Sequence, residues 1–182
     1  PVHCGYHEAP EALGAIGISG VDGIALDLGL SSTQIDDPER GFSFRFDGPL
    51  DMRFDTESGI TLLEILKTTK ASALEKVLRE YGEERFASRV AKAIVEASRK
   101  GTLKTTRDLA DLTAKVIPGR RGKIHPATRT FQGLRIMVNR ELDNLKTALE
   151  NLPGLLNTGA RLCVVSYHSL EDRLVKIAFR EM

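Results

Sequence analysis

Two short apolar runs stand out from an otherwise amphipathic chain. Residues 21–29, Val-Asp-Gly-Ile-Ala-Leu-Asp-Leu-Gly, close on Asp27 and Gly29, and residues 160–167, Ala-Arg-Leu-Cys-Val-Val-Ser-Tyr, form the second. Their length and aliphatic content predict buried strands, with Asp27 at the carboxyl end of the first. Ser169-Leu-Glu-Asp172 has capping-box spacing, so a helix is expected to begin there and run toward Met182. Strand, turn and helix in that order are the grammar of an α/β sheet.

Between the two runs the period is helical. Residues 62–66 and 73–81 predict short amphipathic helices. Over residues 85–99, Phe86, Val90, Ile94 and Ala97 fall on one face, while Arg85, Arg89 and Lys92 share another. Thr105 to Asp108 opens a further helix to Val116, which Pro118-Gly119 stops. Residues 118–125 form a basic, glycine-rich loop. Pro126 then suits the first turn of one long helix with Phe131, Leu134, Val138, Leu142, Leu145 and Leu149 along a single stripe. Residues 34–55 read as a loop in which Phe42, Phe44 and Phe46 alternate among Arg40, Arg45 and Arg53. Such a loop after a strand's carboxyl end is either functional or an edge hairpin turning its Phe inward.

A chain of 182 residues holds one domain, or one domain with a modest insertion. Its composition, 41% hydrophobic and 28% charged, excludes a disordered tail, a collagen-like chain and a coiled coil. No apolar run approaches the roughly 18–20 residues of a membrane span, so a soluble chain is expected. Cys4 and Cys163 lie far apart without a Cys-x-x-Cys, which predicts a reduced, cytoplasmic setting. Pro1-Val-His carries no basic-then-apolar leader, so an internal piece of a longer protein is expected rather than a secretory precursor.

The net charge of +1 conceals a strong split. Residues 1–84 hold 7 Lys and Arg against 16 Asp and Glu, and residues 85–135 hold 13 against 3. The basic block suggests a polyanionic partner; the alternative is a solvated helical face.

Open α/β sheets bind ligands beyond the carboxyl ends of their strands. Asp27-Leu-Gly-Leu-Ser-Ser32 and Ser166-Tyr-His168 both occupy such places. Asp27 offers an acceptor for an amino group, Gly29 a close turn, Ser31 and Ser32 hydroxyls, and His168 either a structural hydrogen bond or a catalytic imidazole. No Gly-x-Ser-x-Gly elbow, Walker loop or Gly-x-Gly-x-x-Gly is present, which disfavours a hydrolase triad and leaves no phosphate cradle. His3, Cys4 and His7 have no second ligand group at a partnering distance, so no metal is expected.

Asp22-Gly-Ile-Ala-Leu-Asp-Leu-Gly-Leu-Ser-Ser-Thr-Gln34 is followed by Asp36-Asp-Pro-Glu-Arg-Gly-Phe-Ser-Phe and Gly48-Pro-Leu-Asp-Met-Arg53. Tyr81-Gly-Glu-Glu-Arg-Phe-Ala87, His125-Pro-Ala-Thr-Arg-Thr-Phe-Gln132 and His168-Ser-Leu-Glu-Asp-Arg173 come later. This ordered set, spread over nearly the whole chain, closely resembles the RsmH (MraW) family of S-adenosylmethionine-dependent methyltransferases, which act on a cytidine N4 in 16S ribosomal RNA.

The resemblance implies an α/β fold: part of a Rossmann-like methyltransferase sheet interrupted by an inserted all-helical domain. The implied divisions are 1–52 and 126–182 for the methyltransferase domain and 53–125 for a basic RNA-recognition insertion. It implies S-adenosyl-L-methionine as cofactor, held by Tyr6 in the aromatic place, Asp27 and Gln34; Thr33 stands where Pro is frequent. It implies a chain truncated at both ends, with the glycine-rich loop before Pro1 and more sheet beyond Met182. Asp27 and His168 are the catalytic candidates. Ser31, Ser32, Ser166, Arg53, Arg120, Arg121, Lys123, His125 and Arg129 are the candidates for substrate binding. The implied partner is 16S rRNA in the small ribosomal subunit, at a decoding-centre cytidine, without a metal or a membrane. A non-catalytic RNA-binding fragment is the alternative, and the Asp27 and His168 blocks argue against it because a pure binder needs no cofactor crevice.

Overall fold

The computed structural model describes residues 1–118 and 125–182. In chain order its elements are α1 (Ala9–Ala15), β1 (Val21–Asp27), α2 (Ser32–Asp36), α3 (Leu62–Thr68), α4 (Ala71–Glu80), α5 (Ala87–Arg99), α6 (Thr106–Val116), α7 (Ala127–Asn139), α8 (Glu141–Asn151), β2 (Leu156–Val165) and α9 (Ser169–Glu181). They pack as two compact units, Pro1–Gly29 with Arg140–Met182, and Leu30–Asn139. Among the described residues no helix is long and apolar enough to cross a membrane.

The first unit is α/β. Strands β1 and β2 pair in parallel, Asp27 opposite Val165, with an irregularity between Val21 and Gly23. Alternation along each strand sends Ile24, Leu26 and Val164 to one face. There they meet Leu145, Ala148, Leu149 and Leu152 from α8 and its extension, and Leu174, Val175 and Ala178 from α9. The opposite face, bearing Gly23, Ala25, Asp27, Arg161, Cys163 and Val165, is exposed. The apolar runs predict buried strands; among the described residues of this unit, helices cover one face and the other is exposed.

The second unit is helical. Leu62 and Leu66 of α3, Leu74 and Leu78 of α4, and Val90 and Ile94 of α5 share one core with Leu109 of α6 and Leu134 of α7. The stretch 41–54 is wound into that core rather than forming a hairpin. Phe42 is buried against Phe54 with ring centroids 5.6 Å apart, and Leu50 and Met52 are buried. Arg40 fixes the far end, its Nη2 donating to the Arg53 and Phe54 carbonyls at 2.9 and 2.8 Å. The stretch divides its three alternating Phe accordingly: Phe42 buried, Phe44 half-buried, Phe46 exposed.

The single long helix expected from residue 126 onward is two helices, with Arg140 between them in the left-handed region at φ 51°. The cause is Asn139. Its Nδ2 donates to the Met52 and Arg135 carbonyls at 2.7 and 2.9 Å, and its Oδ1 accepts from the Phe54 amide at 2.6 Å.

Candidate functional site

The carboxyl ends of the two strands place Asp27 and Tyr167 together. Asp27 ends β1 exposed, and the next amide, Leu28 N–H, donates to the Val165 carbonyl at 3.1 Å. The Tyr167 hydroxyl donates to Asp27 Oδ1 at 2.9 Å. That bond to the carboxylate pushes the phenol's pKa up from its ordinary value. The Tyr167 ring lies over Gly29, where a Cβ would come 3.6 Å from Tyr167 Cδ2, and the Gly29 backbone is left-handed at φ +88°. A side chain at Gly29 would therefore be strained by the backbone conformation, while its Cβ would meet the ring at an ordinary contact distance. Tyr167 is a site residue that the sequence pattern did not single out; its only signal was an aromatic directly after a strand.

Behind this pair sits a buried polar group. His168 caps α9, its Nδ1 accepting from the Glu171 amide at 3.4 Å, so the cap lies one residue before the expected Ser169 and the helix starts at Ser169. Glu171 is buried; its Oε2 accepts from the Tyr167 amide at 3.0 Å, and its Oε1 lies 3.2 Å from His168 Nε2. Glu141 is buried beside them, and potential ligand atoms of Glu141, His168 and Glu171 lie within 4.8 Å of one another. Nδ1 is taken up by the cap, while Nε2, although 3.2 Å from Glu171 Oε1, is buried without a hydrogen bond of good geometry. Tyr6 closes the group. Its hydroxyl donates to the Glu141 carbonyl at 3.4 Å, and burial first, then the Glu141 and Glu171 charges, push its pKa up to about 12. Its ring packs against the core of the first unit. Ser166, half-buried, follows β2 directly. Asp27, Ser166, His168 and Tyr6 thus belong to one unit.

The remaining candidates belong to the helical unit. Ser31 is the N-cap of α2, accepting from the Gln34 amide at 3.2 Å, while Gln34 Oε1 accepts from the Ser31 amide and hydroxyl at 3.1 and 3.2 Å. Ser32 is exposed in the first turn. Arg53 is committed locally: Nε and Nη2 grip both Asp51 oxygens at 2.7 and 2.8 Å, and Nη1 donates to the Ser58 carbonyl at 3.1 Å. His125 is exposed and its ring lies 4.6 Å from that of Phe44, which meets Phe131 edge-on at 4.9 Å. Arg129 is exposed, donating to the Glu83 carbonyl at 3.2 Å. Arg120, Arg121 and Lys123 lie outside the described residues.

The model of the MraW methylase family matches residues 2–182. The chain belongs to the MraW methylase family. A protein of Chromobacterium violaceum named ribosomal RNA small subunit methyltransferase H is 51% identical over 181 residues, covering 100% of this chain and 57% of that protein. A protein of the same name from Bordetella pertussis is 53% identical over 175 residues, or 96% of this chain and 48% of that protein. One from Caldicellulosiruptor bescii is 48% identical over 179 residues. The chain spans about half the length of these curated relatives.

Proposed function

We propose that this chain is part of an S-adenosylmethionine-dependent methyltransferase that modifies the exocyclic N4 amine of a decoding-centre cytidine in 16S rRNA, in the cytoplasm. The relatives' shared name and the family match support the class of reaction. The observation that carries the site is the Asp27 carboxylate, exposed at a strand's carboxyl end and held by the Tyr167 hydroxyl at 2.9 Å.

One feature of the first unit supports the assignment of such a donor. An acidic side chain and a left-handed glycine follow a parallel strand, where open α/β sheets take ligands. Tyr6, Asp27 and Gln34 are the residues assigned to the cofactor. When bound, S-adenosylmethionine supplies an electrophilic methyl group. A cytosine amine is a weak nucleophile because its lone pair is delocalised into the ring. Asp27 Oδ2 accepts an amine N–H, which turns the nitrogen's lone pair toward the methyl and stabilises the charge that develops. His168 and Ser166 wall the same side and keep the turn rigid. Everything else is proximity and orientation.

The two-stranded pair reads as part of a larger Rossmann-like sheet, and the helical unit as an RNA-recognition insertion. Ser31, Ser32, His125 and Arg129, with Arg120, Arg121 and Lys123, are assigned to the RNA, whereas the Arg53 guanidinium is already held by Asp51 and the Ser58 carbonyl. The exposed Arg85, Arg89 and Lys92 are assigned to the RNA backbone as well.

The test is incubation of the full-length protein with labelled S-adenosylmethionine and small ribosomal subunits lacking the modification, followed by digestion to nucleosides. Label in N4-methylcytidine that is abolished by Asp27→Ala supports both reaction and site. Label in another nucleoside removes the substrate assignment. Cofactor binding with no label removes the activity.

A further inference from the structure

Tyr167 is 69% exposed, yet it is held at three points. Its hydroxyl donates to Asp27 Oδ1 at 2.9 Å, its amide donates to the buried Glu171 carboxylate at 3.0 Å, and its ring edge rests over Gly29. A large aromatic that presents a face to solvent while its backbone and hydroxyl are both fixed is preorganised for a flat partner. At the hydroxyl end of that ring lies the exposed Asp27 carboxylate, one of its oxygens occupied by the phenol.

We infer that Tyr167 is the platform on which the target nucleobase stacks, and that its bond to Asp27 aims the second carboxylate oxygen at an exocyclic amine of that base. This rests on the methyl-transfer reading and adds the residue that receives and selects the base. The chemistry sets the selectivity. A base carrying an exocyclic amine donates to Asp27, whereas uracil presents a carbonyl there and sets oxygen against oxygen. Stacking on an aromatic face is itself tolerant of base identity, so Tyr167 supplies affinity and Asp27 supplies discrimination. A base must leave its own stack to reach such a place, and an aromatic already in position offsets part of what is lost.

Residues 1–182 contain no Trp, and emission gained by Tyr167→Trp, read as the difference from the parent protein titrated alongside, reports on position 167. The full-length variant is titrated with a short single-stranded RNA carrying one cytidine, with affinity followed in parallel by anisotropy of the labelled RNA. The expected result is saturable quenching with the cytidine RNA and weaker quenching when uridine replaces it. Tyr167→Ala is expected to lower affinity about tenfold or more, and Tyr167→Phe to keep it within about twofold. Tyr167→Phe keeps the ring but frees Asp27, so its turnover at saturating RNA falls while KM holds. Binding by anisotropy with no quenching overturns the inference, as does a Tyr167→Ala variant that binds and turns over like the parent. No RNA binding by the parent overturns it together with the methyl-transfer reading. Quenching by a parent-like fold that transfers no methyl upholds the stacking role and removes the activity alone. Thermal melts of Tyr167→Phe and Tyr167→Ala matching the parent exclude misfolding as the source of either loss.

Discussion

Gly133 of α7 lies directly against the Gly82 backbone: a Cβ at Gly133 would come 2.9 Å from the Gly82 amide nitrogen and 3.1 Å from its Cα. Glycine inside a helix costs up to about 1 kcal/mol relative to alanine, so packing must justify it. Here it lets α7 approach the turn after α4 at backbone distance, and backbone cannot step aside as a flexible side chain would. Gly133→Ala is therefore expected to lose about 1–3 kcal/mol by overpacking. Gly14, inside α1, has nothing within 4 Å of its would-be Cβ. Gly14→Ala should be neutral or gain up to about 1 kcal/mol. Thermal melts of the two variants moving in opposite directions is the expected outcome; a parent-like melt for Gly133→Ala would refute the close approach.

Asn139→Ala should be among the most damaging polar substitutions in the helical unit. One side chain satisfies the Met52 and Arg135 carbonyls and the Phe54 amide. Removing it leaves a part-buried amide and carbonyl without their partner, a loss of about 2–4 kcal/mol in chemical denaturation. Asn139→Asp keeps the acceptor for Phe54 but sets a carboxylate oxygen against the Met52 carbonyl, so it should recover little.

That same residue marks where local sequence signals stop being sufficient. Both strands, the Thr105 cap of α6 and the faces of α5 were legible because each depends on neighbours within one or two turns. The break at Arg140 was not: the apolar stripe from Phe131 to Leu149 continues across it, and no Gly or Pro stands between Leu134 and Leu149. The chain turns there because Asn139 reaches residues 85 and 87 positions earlier in sequence. The site behaves likewise. Asp27 could be placed from its strand, but its partner Tyr167 is 140 residues away and is joined to it only by strand pairing. His168 was legible as a histidine past a strand, not as a helix cap, because imidazole is not among the usual capping side chains. Arg53 looked free for RNA in sequence, whereas its fork is filled by Asp51 two residues before it.

The Asp51–Arg53 pair yields a pH prediction. Arg53, hydrogen-bonding through Nε and Nη2, holds the Asp51 carboxyl below its ordinary value of 3.8. A depressed folded-state value means the stabilisation is complete above the unfolded value and is lost as pH falls through the folded one. The stability gap between the parent and Asp51→Asn in urea should therefore be constant from about pH 7 down to about pH 5 and shrink below about pH 4. A gap as large at about pH 3 as at neutrality would show that the pair's charge contributes nothing.

Arg129 gives the sharpest test of the basic face, because its side chain is exposed and its one recorded bond, to the Glu83 carbonyl at 3.2 Å, is to a neutral acceptor. Among the described residues no carboxylate bonds the guanidinium there, which leaves it suited to a phosphate. Replacing it should weaken binding to single-stranded RNA of any sequence, since phosphates carry no base information. The salt dependence is the decisive readout. Each phosphate neutralised on a single strand contributes about −0.7 to the slope of log affinity against log salt, so Arg129→Ala should make that slope shallower by about that amount. Arg129→Lys keeps the charge and should keep the slope while losing the bond to Glu83. Anisotropy titrations across a range of KCl concentrations measure both. An Arg129→Ala slope equal to the parent's would place the RNA backbone elsewhere, whatever happened to the affinity at one salt concentration.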